Sequence, residues 1–536
     1  MQLLVARAGQ VRPGFAVTDA NAAAVAELCR RLDGIPLALE LAAAQLRLLT
    51  PAALIRRLGE RLDHSLDLVA DTADLPDRQR TLRATIAWSY SMLGEAERLL
   101  LARLSVFTGS WTLEASEAVG TVDGDLDALD TVTSLVAQSL IRTDESDSAE
   151  VRFRMLDTIR AYAGERLTDR DEAAATNSRM ARYLIDMVEK VRDALQGAQN
   201  RAASERLDRE RDEIRSAIDW ALRTDDAETV GRLLTPLFTY WWSRGLLPMT
   251  YELAEKASLL PSAGTMAPYA SALLSGARGM AMVMVGRTTE AEPVLRETVT
   301  TAAALGNDRL QAYALLGLAG AVVQRGVDDA CDRLDEAAAL FHIIGDLWGL
   351  ALTLSTRGQL ALAAGETTRA CCLHLDALAA AETIDNDHLR AQILDMLGLD
   401  AVAVDDLTGA RHHHTEAAAL HTRLLDYEGS AYGLSGLAGL ALALGRPEAS
   451  ARLIGASARA RQVVGVTRWP GMASMEDQRS AATAAALDPA TYARAHAEGA
   501  RMPIREALAY GVAATGADGS PAPLPEEGRV TAEVGA

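Results

Sequence analysis

Apolar residues recur at helical spacing through most of this chain. Thr18-Asp19-Ala20-Asn21 reads as the cap of a helix with Ala24, Val25, Leu28 and Cys29 on one face. Leu32 to Pro36 breaks that helix, because Gly34 permits a turn and Pro36 suits the first turn of a second helix, Leu37 to Ala44. Thr50-Pro51 opens a third. Further on, Arg80 to Tyr90, Glu95 to Leu104 and Leu126 to Leu140 form a three-helix unit. Strand-length segments Leu140 to Thr143 and Val151 to Arg154, joined by a polar turn, then make a wing, and Met155 to Arg166 returns to helix.

From about residue 175 the pattern is one of helix pairs. The turn inside each pair repeats at Gly286, Gly326, Gly365, Asp406 and Gly445, at intervals of 40, 39, 41 and 39. The turn between pairs keeps step at Gly306-Asn307, Gly345-Asp346, Asp385-Asn386 and Asp426. Gly279 and Gly358 precede the inner turn by seven residues, where two helices can approach closely, and Ala370 is expected to fill the gap left by Gly358. This is a tetratricopeptide-like array with a longer unit. The expected fold is mainly α: a small helical domain plus winged helix followed by a right-handed tetratricopeptide-like α-solenoid. The expected boundaries are 1–75, 76–167 and 175–465, with residues 205–260 as degenerate leading units. C-terminal helices over 466–515 and a Gly/Pro/Glu-rich, disordered tail over 516–536 complete the chain.

Composition sharpens this. Hydrophobic residues are 49% of the 536 but aromatics only 4%, which suits helices packed through small side chains. Acidic residues outnumber basic ones 73 to 53, for a net charge of -20, against a free-standing nucleic-acid binder. Four cysteines make no disulfide framework, and Cys331 and the adjacent Cys371-Cys372 are expected to be small core residues. No apolar run reaches the ~18 residues that span a bilayer, and the first residues do not resemble a signal peptide. A cytoplasmic protein with no membrane contact is expected.

Cys29 to Ala44, containing Gly34-Ile35-Pro36-Leu37-Ala38, resembles the GLPLA segment of signal-transducing ATPases of the NB-ARC/STAND class. It is most similar to that of the large LuxR-type and AfsR-type bacterial regulators. Arg80 to Tyr90 and Leu104 to Trp111 look like the start of that family's winged helix, and Phe153 to Ala163 like the segment after the wing. The resemblance covers residues 1–167 and implies an ATP/ADP switch with a repeat sensor behind it. It also implies a nucleotide pocket in which Gly34, Pro36, Leu37, Leu156 and Asp157 take part, Pro36 beside the base and the Leu37 helix start near the nucleotide.

Departures from the family limit what is carried over. A Walker A loop needs a Lys after Gly, yet the only lysines, Lys190 and Lys256, each follow a glutamate. Many relatives place a phosphate-contacting His where Leu156 stands here, although Asp157 is retained. The expectation is a relative lacking its ATPase core through truncation, gene splitting or decay, with no cofactor unless a P-loop domain supplies ATP or ADP from elsewhere.

Other candidates are weaker in chemistry. Residues 79–166 hold 9 basic against 14 acidic side chains, and Leu126 to Leu140 has neither Lys nor Arg, so direct nucleic-acid contact is not expected. Arg152 and Arg154 in the wing are the residues that would make it. His412-His413-His414 with His421 invites a metal, but no ligand spacing accompanies them and a solvated helix start is the plainer reading. No catalytic constellation is present. The sequence therefore points to a non-catalytic regulator that binds a protein or peptide on the solenoid's concave face. The alternative is a nucleotide-dependent LuxR/AfsR-type transcriptional regulator whose P-loop lies on a separate chain or was lost by a misplaced start.

Overall fold

A computed structural model describes residues 1–11, 15–18, 21–31, 39, 42–43, 46, 49–60, 82–144, 150–424, 426–465 and 467–516. They divide into two compact units, Met1–Asp186 with Asp208–Trp220, and Met187–Leu207 with Ala221–Ala536.

The first unit opens with α1 (Gln2–Val11), a helix that the patterning above does not mark, then α2 (Ala22–Arg31) and α3 (Pro51–Glu60). The Asn21 side chain accepts the Thr18 N–H at 2.8 Å and closes the loop into α2, while Thr50 Oγ1 accepts the Ala53 N–H at 3.2 Å and starts α3. Gly34, Pro36 and Leu37 lie outside the described residues.

The winged helix comprises α4 (Leu82–Ser91), α5 (Glu95–Leu104), β1 (Ser110–Thr112), α6 (Leu113–Gly120), α7 (Ala128–Ala137), β2 (Ile141–Asp144), β3 (Arg152–Met155) and α8 (Asp157–Asp169). The sheet has three strands, ordered β1-β3-β2 and antiparallel throughout, rather than the two expected. Ser110–Thr112 is too short to show a period of two, but it seats Trp111 opposite Phe153. Trp111 stacks on Phe107 at 5.2 Å and donates its indole N–H to Ser116 at 2.9 Å, so the largest side chain of this core is packed and hydrogen-bonded. Met155 belongs to β3, paired with Ile141, so the next helix begins at Asp157 instead.

Helices α9 (Ala173–Gln196) and α10 (Asn200–Arg223) each give residues to both units, so the division falls inside helices and not in a linker near residue 170. The second unit continues with α11 (Ala227–Leu234), α12 (Phe238–Ser243) and α13 (Leu247–Ser258). Five helix pairs follow: α14 (Pro268–Met284) with α15 (Thr288–Ala304), α16 (Asp308–Val322) with α17 (Val327–Ile344), α18 (Leu347–Ala363) with α19 (Thr367–Thr383), α20 (Asp387–Ala403) with α21 (Leu407–Leu424), and α22 (Tyr427–Ala443) with α23 (Pro447–Val464). The repeat turns are where the sequence places them. Asn307, Asp346, Asn386 and Asp426 each cap a first helix by accepting the N–H three residues on, at 2.9 to 3.0 Å. Asp385 and Asp405 hold φ of 50° and 62° where Gly345 and Gly365 stand in the preceding pair, a left-handed conformation that Asp tolerates better than most side chains.

One expected contact is shifted by a helical turn. Ala370 is fully buried, but the atoms facing Gly358 belong to His374, four residues later; a Cβ at Gly358 would lie 2.5 Å from its Nε2. Gly279 meets Leu295 and Gly398 meets His414 in the same way. The side chain projects back along the helix, so the longer residue one turn on reaches the glycine. The chain ends in α24 (Pro470–Ala485), α25 (Pro489–Gly499) and α26 (Ile504–Ala514). Gly516, expected in the tail, is held by its carbonyl, which accepts from Arg446 at 3.0 Å. No described helix is long and apolar enough to cross a membrane. Cys331 and Cys371 are half-buried, but Cys372 is exposed and so is not a core residue.

Candidate functional site

Of the pocket residues that the resemblance implies, the described part of the chain holds only Leu156 and Asp157. Leu156 caps α8 without a polar atom to offer, and Asp157 pairs with Arg160 at 2.8 Å.

In the wing, the two arginines part company. Arg152 is 2% exposed, forms an ion pair with Glu210 at 2.6 Å and donates to the Ser110 hydroxyl at 2.9 Å. It is therefore a structural tie, and corrects the expectation that it could reach DNA. Arg154 is exposed, and the register sets it directly across from exposed Arg142. Next to the Arg152 pair, buried Glu213 accepts the N–H groups of Thr108 and Gly109; burial still pushes its carboxyl up to about 7. The exposed positions of α7 are Leu129, Asp130, Thr133 and Ala137, with no base among them.

The solenoid carries chemistry that the sequence reading missed. His414 and His421 are not solvated but fully buried, seven residues apart on one face of α21. A chain of alternating imidazoles and carboxylates runs through this repeat. His414 Nδ1 lies 3.0 Å from Asp395, which holds His421 Nε2 at 2.9 Å; His421 Nδ1 lies 2.9 Å from Asp426, which also holds His388 at 3.1 Å. One repeat earlier, His374 bonds Asp400 at 2.6 Å and the Ser355 carbonyl at 3.2 Å. Burial works against the His421 imidazolium, yet its two carboxylates hold it charged, with a pKa of about 10. Asp426, opposed by burial, is nonetheless drawn well below the usual carboxylate range by His388 and His421. His421 gives both ring nitrogens to carboxylates, His374 divides its two between a carboxylate and a carbonyl, and His414 Nε2 is buried without a partner; among the described residues no group of three or more His, Cys, Asp or Glu could hold a metal. A signal was available: His374 and His414 are 40 residues apart, the same place in successive units.

The first helices of all five pairs, α14, α16, α18, α20 and α22, contribute to one recess with a cavity volume of about 120 Å³, part of it open to solvent. Phe238 and Trp242 of α12 border it, and so do Trp469 and Met472 at the start of α24. Among the described residues of its lining, Glu428, on the first turn of α22, is the one charged side chain, and it is 1% exposed.

Residues 93–168 match the model of a winged helix-turn-helix domain. The chain is 36% identical over 251 residues to a Mycobacterium tuberculosis protein named as an HTH-type transcriptional regulator, covering 46% of this chain and 28% of that one. A second M. tuberculosis protein, itself uncharacterized, is 38% identical over 188 residues, 34% of this chain and 47% of the other. The chain thus spans less than half the length of these relatives. Among solved structures it is similar to a Signal Transduction ATPase with Numerous Domains protein with a tetratricopeptide repeat sensor from Pyrococcus horikoshii. That similarity has a TM-score of 0.40 at 16% identity, over 96% of this chain and 74% of that one.

Proposed function

We propose that this chain is a regulator of gene expression that acts by contacting a protein partner through its helical repeats, with no ATPase activity of its own and no direct grip on DNA. The carrying observation is the contrast between its two halves. The first helices of five pairs line one shared recess, whereas the winged helix keeps Arg152 as an internal tie and offers no basic residue on α7. A winged helix used as a scaffold needs only its core, and Trp111, Phe107 and Phe153 supply one. Relatives named as transcriptional regulators support the regulatory part of this reading.

The test is complementation of a deletion strain, read by its transcript profile. A chain with both Arg142 and Arg154 changed to Ala should restore the profile, and one with Gly358→Leu in the repeats should not. Failure of the wing variant, together with binding of purified wild-type chain to promoter DNA, would overturn the proposal.

A further inference from the structure

The recess on the inner face goes beyond a protein partner. Residues of α12 and of the start of α24 also line it, and its volume of about 120 Å³ is on the scale of a small molecule with few heavy atoms. Its walls are dominated by Met280, Met284, Leu316, Met396 and Met472, unbranched or flexible side chains that repack around differently shaped apolar tails. From α14, α16, α18 and α20 only uncharged side chains reach it.

Against that lining stands Glu428. Neither carboxylate oxygen has a hydrogen-bond partner among the described residues. The Trp242 indole lies close enough to favour the charged form, but its N–H also lacks an acceptor at hydrogen-bond geometry. A buried carboxyl without donors is costly, and this one faces a cavity bordered by Trp242 and Trp469, whose ring faces attract cations. Gln359, Gln392 and Thr356 add acceptor oxygens to the same wall. We propose that this recess binds a primary ammonium ligand with an apolar tail: the ammonium donates to both Glu428 oxygens and a neighbouring amide, and the tail lies among the methionines. The protein's net charge of -20 favours the approach of such a cation.

Burial pushes Glu428 up to about 8, with Asp426 adding to the effect and Arg461 opposing it. Asp426 is itself bound to His388 and His421, and Arg461 to Glu476, so these neighbours are already paired. An incoming ammonium therefore displaces a proton near neutral pH, and binding is best measured at about pH 8.5, where the carboxylate is present.

The experiment compares n-hexylammonium with n-hexanol, equal in tail and different in charge, on the full chain by calorimetry and by tryptophan fluorescence. Wild type should bind the ammonium about tenfold to a hundredfold more tightly than the alcohol, the usual worth of hydrogen bonds to a charged group. Glu428→Gln, which keeps the volume, should remove that preference while leaving hexanol affinity unchanged. Equal binding of the two probes by wild type, saturable binding of neither, or a preference that survives Glu428→Gln would each overturn the assignment. The wild-type comparison stands even if the variant fails to fold. Loss of this site would leave the complementation result untouched, so the two proposals fail separately.

Discussion

Changing Gly358 to Ala adds one carbon, and the structure says where it goes. The new Cβ would stand 2.5 Å from His374 Nε2, 2.6 Å from its Cδ2 and 3.0 Å from its Cε1. The ring cannot swing aside cheaply: it is fully buried and tied at both nitrogens, by Asp400 at 2.6 Å and by the Ser355 carbonyl at 3.2 Å. If the helices part to admit the methyl, the cost is that of overpacking, about 1–3 kcal/mol. Should the ring be expelled, Asp400 is left buried without its partner, and about 3–5 kcal/mol is lost instead. Gly358→Leu should reach the upper figure. The assay is urea unfolding followed by circular dichroism, with Gly326→Ala as control, since a Cβ there meets nothing within 4 Å and its φ of -166° is ordinary extended backbone. A double-mutant cycle identifies the obstacle: in a His374→Ala background the added methyl should cost next to nothing, leaving a coupling of about 1–3 kcal/mol. Wild-type stability in Gly358→Ala, or an unchanged cost in the His374→Ala background, would refute the reasoning.

Four further outcomes are expected. Purified chain should show no calorimetric binding of ATP or ADP in the micromolar range, about -8 kcal/mol, since neither lysine follows a glycine and Leu156 has no donor; a micromolar Kd would contradict this. It should give no mobility shift with promoter DNA at moderate salt, and a salt-dependent shift abolished by changing Arg142 and Arg154 would count against the scaffold role. Arg152→Ala should instead destabilise the winged helix, by about 3–5 kcal/mol, because Glu210 is left unpaired. Repeat stability should fall as pH rises: Glu428, raised from 4.5 to about 8, and His421, raised from 6.5 to about 10, both bind protons in the folded chain that the unfolded chain has released. A melting temperature that climbs from about pH 6 to about pH 9 would be the wrong sign, and His421→Gln should flatten the upper part of the curve.

Much of the architecture is legible because it rests on local chemistry. The Asn and Asp caps at 307, 346, 386 and 426 announce each first helix, and they recur with the period of the fold. Strand β1 is not legible, since three residues carry no periodicity and Ser110–Thr112 becomes a strand only by pairing with β3. Arg152 misleads for a related reason. Its burial depends on Glu210, 58 residues away on another helix, and a lone arginine in a wing gives no hint of that. The same distance problem hides Glu428, whose surroundings come from α12, four repeats and the segment before α24.

The histidines show how a repeat can acquire chemistry without changing its shape. Four residues after the buried Ala of the second helix stand Leu295, Leu334, His374 and His414 in successive units. In the first two the side chain joins an apolar cluster. In the last two an imidazole fills the same place, and the facing helix now supplies a carboxylate, Asp400 for His374 and Asp395 for His414. A leucine there would pack against any apolar neighbour, but a buried histidine is tolerated only beside its acceptor. Units that share a backbone plan are thereby made unlike in their contacts, His374 joining the third pair to the fourth and His414 joining the two helices of the fourth. The acidic residues that complete these contacts lie on α20 and on the cap of α22, which also carries Glu428. The chain of buried imidazoles and carboxylates thus ends at the cap of α22, two residues before Glu428, and ties down the helix that presents this carboxylate to the recess.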